Sequence, residues 1–133
     1  MGISHHEIKN RCWGLKKKFP CFQNIKYFKM KRVAFKMKLK EGSFAEYKKR
    51  HDEIWPELST LLSSAGIVNY SIFFDLETNI LFAYHELLGS GGAQDQGATP
   101  IVQKWWKYMA DIMETNSDNS PVSSPLEEAF YLK

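Results

Sequence analysis

Cysteine is missing from most of this 133-residue chain, because both cysteines, Cys12 and Cys21, lie in the first 30 residues. A disulfide framework therefore cannot hold the rest of the chain together. A chain of this length can build an ordinary hydrophobic core without one. The sequence also has no hydrophobic signal segment, so we expect a reducing, cytoplasmic setting.

Long apolar runs and a basic face are also lacking. The longest apolar run, Ile80–Tyr84, is far shorter than the ~20 residues of a membrane-spanning helix. Residues 1–30 carry seven Lys/Arg against Glu7 alone, a balance of +6. The remaining residues carry eleven Lys/Arg and fourteen Asp/Glu, a balance of −3. We therefore expect neither a membrane nor a nucleic acid as partner.

What is present is the composition of one globular domain, with 44% hydrophobic and 14% aromatic residues. Residues 1–30 show no sustained hydrophobic period, and Met30 directly precedes the first predicted strand. We interpret 1–30 as an N-terminal extension outside the fold and 31–133 as a single domain. No Cys, His and carboxylate residues in 31–133 have metal-ligand spacing, so we expect no metal.

Alternating apolar residues predict strands, which we place at Arg32–Lys40, Ile67–Phe74, Ile80–Leu87 and, as a short closing strand, Ala129–Leu132. In the second strand, one face is predicted to carry Val68, Tyr70, Ile72 and Phe74. Apolar residues at helical spacing predict one helix from Phe44 to near Gly66 and another from Pro100, with Thr99 as its cap. Between them, the glycine-rich Gly89–Ala98 predicts a loop or a poorly formed helix.

The order strand, helix, strand, strand, helix, strand is that of an α+β ferredoxin-like βαββαβ fold. It predicts a four-stranded antiparallel sheet with two helices on one face. No predicted helix covers the opposite face of the sheet, and the chain is rich in aromatic residues that could lie there. We therefore expect that face to pack against a second copy of the chain.

The first helix carries the residues most suggestive of a site. Ser43 and Glu46 have the spacing of a capping box at its start. Tyr47 and His51, four residues apart, lie on its apolar face one above the other. Pro56 cannot continue the helix, because it has no N–H for the carbonyl of Asp52. Either the helix kinks after His51 or a new helix begins at Pro56, and both arrangements open space beside the ring.

Residue type alone leaves two interpretations of these side chains. A histidine on an apolar face is often a satisfied core residue, but a neighbouring helix break favours a site. Trp105 and Trp106 are about 100° apart around a helix axis, so they cannot both point into one core. One of them should border a surface or a cavity.

Four stretches resemble the L-rhamnose mutarotase family, and together they are specific to it. They are EYKKRHDEIWPEL at Glu46–Leu58, NYSIFFD at Asn69–Asp75, KWWKYMADIM at Lys104–Met113 and DNSPVSS at Asp118–Ser124. The resemblance covers about residues 31–133 in the right order. One departure is visible in Gly89–Ala98, which is unlike the charged, more helical segment that the family usually has before its second helix.

The resemblance implies an enzyme that interconverts the α and β anomers of L-rhamnose without a cofactor. It also implies a dimeric α/β barrel made of two ferredoxin-like chains. By matching motif positions, His51 falls where the family has its acid/base residue. The positions that match its sugar-binding residues are Tyr47, Tyr70, Trp105 and Trp106.

Two alternatives remain open on the same scaffold. One is a cofactor-free monooxygenase or a haem-handling enzyme. The haem-binding version would need an exposed axial histidine, for which His51 or His85 could be nominated. A colourless preparation with no Soret band on haem titration would count against it. The other is a non-catalytic sugar-binding dimer, which would bind the sugar without changing its rate of anomer exchange.

Overall fold

The computed structural model of the chain describes residues 30–89 and 92–133. Within it, Lys31–Lys133 forms one compact unit. The interpretation of residues 1–30 as an extension falls outside the described residues, except for Met30, and stays a prediction. Cys12 and Cys21 also lie outside the described residues.

Four strands, three α-helices and a short 3-10 helix make up the described part of the chain. In chain order they are β1 (Lys31–Lys38), α1 (Phe44–Asp52), α2 (Pro56–Ser64), β2 (Ile67–Asp75), β3 (Ile80–Leu87), the 3-10 helix (Ala93–Asp95), α3 (Pro100–Met109) and β4 (Ser123–Leu126). The sheet order is β2-β3-β1-β4, and all neighbouring strands are antiparallel. This confirms the ferredoxin-like α+β prediction, with three helices in place of two.

The third helix arises because Pro56 divides the first predicted one. Helix α1 ends at Asp52, and Trp55 is extended, with φ −62° and ψ 130°. Pro56 then occupies the first turn of α2, where its missing N–H costs no hydrogen bond. Of the two arrangements expected from the sequence, the one with a new helix at Pro56 is therefore correct. Gly66, with φ +85°, follows the end of α2 as predicted.

The predicted side-chain caps are wrong, although the helix starts are right. Ser43 has φ −97° and ψ 0°, outside the extended region from which a serine hydroxyl caps a helix, and its side chain makes no cap bond. The Glu46 carboxylate instead accepts a hydrogen bond from Arg50 Nε at 2.9 Å. Thr99 precedes α3 but likewise caps it without its side chain.

Strand β2 contains a bulge that the alternation of its sequence conceals. The pairing with β3 shifts between Val68 and Ser71, and Asn69 has a positive φ of 50°. Because a bulge inserts one extra residue, it exchanges the faces on its two sides. The prediction that Val68 shares a face with Tyr70, Ile72 and Phe74 is therefore wrong: Ile67 is buried in the core before the bulge, and the other three pack against the core after it. Tyr70, beyond the bulge, packs against the core as expected.

The closing strand is Ser123–Leu126 and not Ala129–Leu132. It pairs antiparallel with Ala34–Met37 at the edge of the sheet, and all four of its residues are exposed. An edge strand without a buried face needs no apolar alternation, and it tolerates Pro125. Residues 127–133 have no regular structure. This segment is held by an ion pair of 2.6 Å between Arg32 and Glu128.

The core lies between the helices and one face of the sheet. Its strand residues come from the two central strands and from β2, and the most buried are Phe35, Met37, Ile67, Leu81, Ala83 and Leu87. Leu39, just after β1, is also buried. In β3, Leu81, Ala83 and Leu87 are all buried, so alternate residues of this strand face the core. On the opposite face of the sheet, Phe73 is 68% and Phe82 39% exposed in this chain.

We expect Leu81→Ala to lower the free energy of unfolding by about 2–5 kcal/mol, because it leaves a cavity in the central strand. Leu81 is 0% exposed, whereas Leu76, in the neighbouring turn, is 81% exposed. Leu76→Ala is therefore a matched control that should change the stability by no more than about 0.5 kcal/mol. Denaturant unfolding of both variants measures the difference. Equal midpoints would contradict this description of the core.

Candidate active site

One cavity of about 740 Å³ opens beside the break between α1 and α2. Side chains from β1, β2, β3 and all three helices line it. The lining includes all five residues to which the family resemblance assigned a role, namely Tyr47, His51, Tyr70, Trp105 and Trp106. The fold thus brings together residues that are up to 59 positions apart in the chain.

His51 lies in the last turn of α1, with its ring stacked on that of Tyr47 at 4.2 Å between centroids. Its Nδ1 is 3.1 Å from the backbone carbonyl oxygen of Tyr47. A carbonyl oxygen can only accept a hydrogen bond, so this contact requires the proton on Nδ1. In the neutral ring, Nε2 then carries the lone pair that can accept a proton.

Burial sets the protonation of the polar groups in this cavity. It lowers the pKa of His51, while the Tyr47 carbonyl and Asp52 act weakly in the opposite direction. It raises the pKa of both Tyr47 and Tyr70 far above the usual tyrosine range. The imidazole is therefore neutral near pH 7, and both phenols keep the proton that makes them hydrogen-bond donors.

The two tryptophans of α3 form an aromatic wall of the cavity. Trp105 is buried and meets the His51 ring edge-on, with 5.3 Å between centroids. Trp106 is half-buried and packs against Gly97, where an added Cβ would lie only 2.7 Å from its indole. We expected one tryptophan to border a surface or a cavity, and both line this one.

Tyr70 reaches the cavity because of the bulge at Asn69. Beyond the bulge, its ring packs between Phe35 at 6.5 Å and His85 at 5.3 Å. This places the tyrosine on the sheet side of the cavity, opposite the helical residues. Sequence alternation assigned Tyr70 to the right face, but it did not reveal the bulge.

His85 lies behind Tyr70 and outside the lining of the cavity. It is 0% exposed, and its Nε2 accepts a long hydrogen bond of 3.4 Å from the backbone N–H of Ala93. Burial lowers its pKa. A fully buried ring cannot serve as an exposed axial ligand, so the assignment of that role to His85 in the haem alternative is wrong.

Arg50 is a residue of this region that the sequence analysis did not single out. Its side chain joins α1 to Asp111, just after the end of α3, with Nη1 2.8 Å from the carboxylate. The sequence offered one signal for Arg50: it directly precedes His51 and is an arginine where the two residues before it are lysines. Nothing in the sequence identified Asp111 as its partner.

A family model shows which protein family the chain belongs to. Residues 32–132 match the model of the L-rhamnose mutarotase family. The chain belongs to this family. The resemblance found in its four sequence stretches is thereby confirmed.

Individual members of the family are similar over almost their whole length. A relative from Bacteroides thetaiotaomicron, named L-rhamnose mutarotase, is 65% identical over 103 residues, which are 77% of this chain and 99% of the relative. One of the same name from Formosa agariphila is 58% identical over 104 residues, 78% of this chain and 100% of the relative. None of these names describes a monooxygenase, a haem enzyme or a binding module.

A solved structure supports the fold independently. The crystal structure of an L-rhamnose mutarotase from Formosa agariphila superposes with a TM-score of 0.71 at 53% identity. The match covers 77% of this chain and 99% of that one. Family membership therefore rests on both the sequence and the backbone arrangement.

The described residues contain neither a metal-binding cluster nor a membrane-spanning helix. Among residues 30–89 and 92–133, no group of three His, Cys, Asp or Glu side chains is placed to hold a metal ion. No helix within the same residues has the length and apolar character to cross a bilayer. The absence of a metal and of a cofactor from the working protein stays a prediction.

We expect an NMR titration of the His51 ring to give a midpoint below 6.5, because burial disfavours the charged imidazolium. The unfolded chain then binds this proton more readily than the folded one. The free energy of unfolding should be fully retained above pH 6.5 and should fall as the pH drops through the lowered pKa.

His51→Gln is the control for this titration. It assigns the resonance, and the stability difference from wild type isolates His51 from His85. A midpoint at or above 6.5 would contradict the burial of this ring.

Proposed function

We propose that this protein is an L-rhamnose mutarotase that interconverts the α and β anomers by acid/base opening and closure of the sugar ring. One observation carries the proposal. A neutral histidine, its Nδ1 tied to the Tyr47 carbonyl, lies in a cavity with phenol donors and an aromatic wall. Membership in the L-rhamnose mutarotase family supports the choice of sugar.

The reaction needs two proton transfers. A base takes the proton of the anomeric hydroxyl at O1, and an acid delivers a proton to the ring oxygen O5. The bond between C1 and O5 then breaks as C1 becomes a carbonyl. Rotation about C1–C2 presents the other face of the carbonyl, and the reverse transfers close the ring to the second anomer.

His51 is the acid/base residue of this proposal. An imidazole can take and return a proton in either direction, because its ordinary pKa of ~6.5 is close to neutrality. Burial lowers the pKa of His51 from that value and keeps the resting ring neutral, ready to accept a proton. Its Nε2 is the available atom, because Nδ1 donates to the Tyr47 carbonyl. The Tyr47 phenol, one helical turn earlier, supplies a hydrogen-bond donor for a neighbouring sugar oxygen.

Tyr70, Trp105 and Trp106 are the remaining sugar-binding residues of the proposal. An indole face suits the C–H face of a pyranose and can cover the methyl group of a 6-deoxy sugar. Tyr70 approaches from the sheet and adds a donor on that side. With these walls the sugar is held while its ring opens, which keeps the open-chain aldehyde in the cavity.

The working assembly that we propose is a cytoplasmic homodimer closed through its sheets. The helix-free face of the sheet exposes two aromatic residues, Phe73 and Phe82, in the single chain. A second copy would cover this apolar area. The lack of cysteine in residues 31–133 is consistent with a reducing compartment.

We expect His51→Ala to lower the enzymatic rate of anomer exchange by about 10²–10⁴-fold, the usual cost of losing a general acid/base residue. Saturation-transfer NMR on L-rhamnose measures the rate. Lys49→Ala, on the exposed side of the same helix, is the matched control and should retain the wild-type rate.

Circular dichroism and a thermal melt of the same sample must show that the His51 variant is folded. Chelators should leave the wild-type rate unchanged, because no metal takes part in the proposed transfers. A folded His51→Ala protein that exchanges anomers at the wild-type rate would refute the site assignment.

A second prediction concerns the first 30 residues. A chain beginning at Met30 should fold, exchange anomers at the full rate and sediment with about twice its monomer mass at micromolar concentration. The reason is that the family model matches only residues 32–132. The full-length chain is the control. Loss of the dimer or of solubility on truncation would show that residues 1–30 belong to the structure.

A further inference from the structure

Arg50 lies between the helix that carries His51 and the end of the helix that carries Trp105, and its side chain is largely covered by these elements. Its side chain is only 11% exposed. Nη1 donates to the backbone carbonyl of Tyr108 at 2.7 Å and to Oδ1 of Asp111 at 2.8 Å. Nη2 donates to Oδ2 of the same carboxylate at 3.1 Å. One guanidinium thus binds a main-chain carbonyl in the last turn of α3 and a carboxylate just beyond the end of that helix.

These contacts are part of a closed ring of residues that includes the candidate base. The Arg50 guanidinium lies 4.5 Å from the centre of the Tyr108 ring, which is 5.7 Å from that of Trp105. Trp105 in turn meets His51 edge-on at 5.3 Å. Arg50 and His51 are adjacent in α1, so the ring closes through the backbone. A shift of α3 against α1 would have to break a contact in it.

We call the contacts of Arg50 with the Tyr108 carbonyl and the Asp111 carboxylate the clamp, because they tie α1 to the end of α3. Their geometry needs an arginine. A planar guanidinium can bind two carboxylate oxygens and a carbonyl at once, whereas an ammonium group is a point charge that cannot match this pattern. The pKa of Asp111 is lowered, chiefly by its hydrogen bond to Arg50. The Asp111 side chain is 64% exposed, so solvent screens its ion pair with Arg50. The pair therefore contributes little to stability, and its main effect is to orient α1 relative to the end of α3.

We propose that Arg50 is a positioning residue for anomer exchange, which sets the placement of His51 relative to Trp105 by clamping α1 to the end of α3. The proposal rests on the proposed function of His51. Arg50, Tyr108 and Asp111 are absent from the lining of the cavity, so they act through the residues that line it. A misplacement of about 1 Å at a reacting group can lower a rate by ~10²-fold.

The chain offers a matched pair of variants to test this. Asp111 and Glu46 each provide a carboxylate to Arg50, but Asp111 lies beyond α3, whereas Glu46 is in α1 itself. We expect Asp111→Ala to lower kcat about 10- to 100-fold. Glu46→Ala should leave kcat within about twofold of wild type, since the clamp between the helices remains. Saturation-transfer NMR over a range of L-rhamnose concentrations separates kcat from KM.

A second measurement separates positioning from a purely structural role. If Asp111→Ala loosens the packing of Trp105 on His51, the NMR titration midpoint of His51 should move upward toward 6.5. In Glu46→Ala it should stay at the wild-type value. A variant that only lost stability would melt at a lower temperature but keep the wild-type midpoint and kcat in its folded state.

Three results decide the matter. Folded Asp111→Ala with the wild-type kcat and the wild-type His51 midpoint overturns the proposal. If this variant does not fold, Arg50→Lys replaces it in the same test, because lysine keeps the positive charge but cannot bind two carboxylate oxygens and a carbonyl at once. If wild type itself does not exchange L-rhamnose anomers, the proposed function fails, and the His51 midpoints of the Asp111 and Glu46 variants still decide whether Arg50 positions the ring.

Discussion

Much of this structure depends on one missing hydrogen bond. Pro56 has no N–H to donate to the carbonyl of Asp52, so the helix that begins at Phe44 must end there. The chain then turns through an extended Trp55 and begins a second helix. His51 consequently lies in a last helical turn, next to a gap between two helices, and is half-buried. In a continuous helix the same residue would be covered by the following turn.

The cavity combines two requirements that usually oppose each other. In the proposed function the aromatic walls exclude water and hold a sugar ring, and the same exclusion destabilises a charged imidazolium. The structure meets both by keeping His51 neutral, with its Nδ1–H donating a hydrogen bond to the carbonyl of Tyr47. The acidic and basic side chains that stabilise the arrangement stay at the periphery, as Arg50 and Asp111 do.

Most of the fold could be predicted from the sequence, and the misses share a cause. The periodic segments with one buried face were placed correctly, because burial imposes a pattern of apolar residues. Strand β4 escaped prediction because none of its residues is buried. The bulge at Asn69 was missed because the residues after it still alternate. The serine cap failed because Ser43 adopts helical dihedral angles, which no sequence pattern reports.

The sequence by itself determined the order of the strands, an interruption of the helix near Pro56, the placement of Tyr47 and His51 one turn apart on one helix face, and the family. These are local properties or patterns, which neighbouring residues carry without help from the rest of the chain. Only the tertiary structure decided that Tyr70 and His51 line one cavity, that His85 is fully buried and that Arg50 binds Asp111. Such contacts join residues far apart in the chain, and their partners are selected by packing geometry, which residue spacing does not encode.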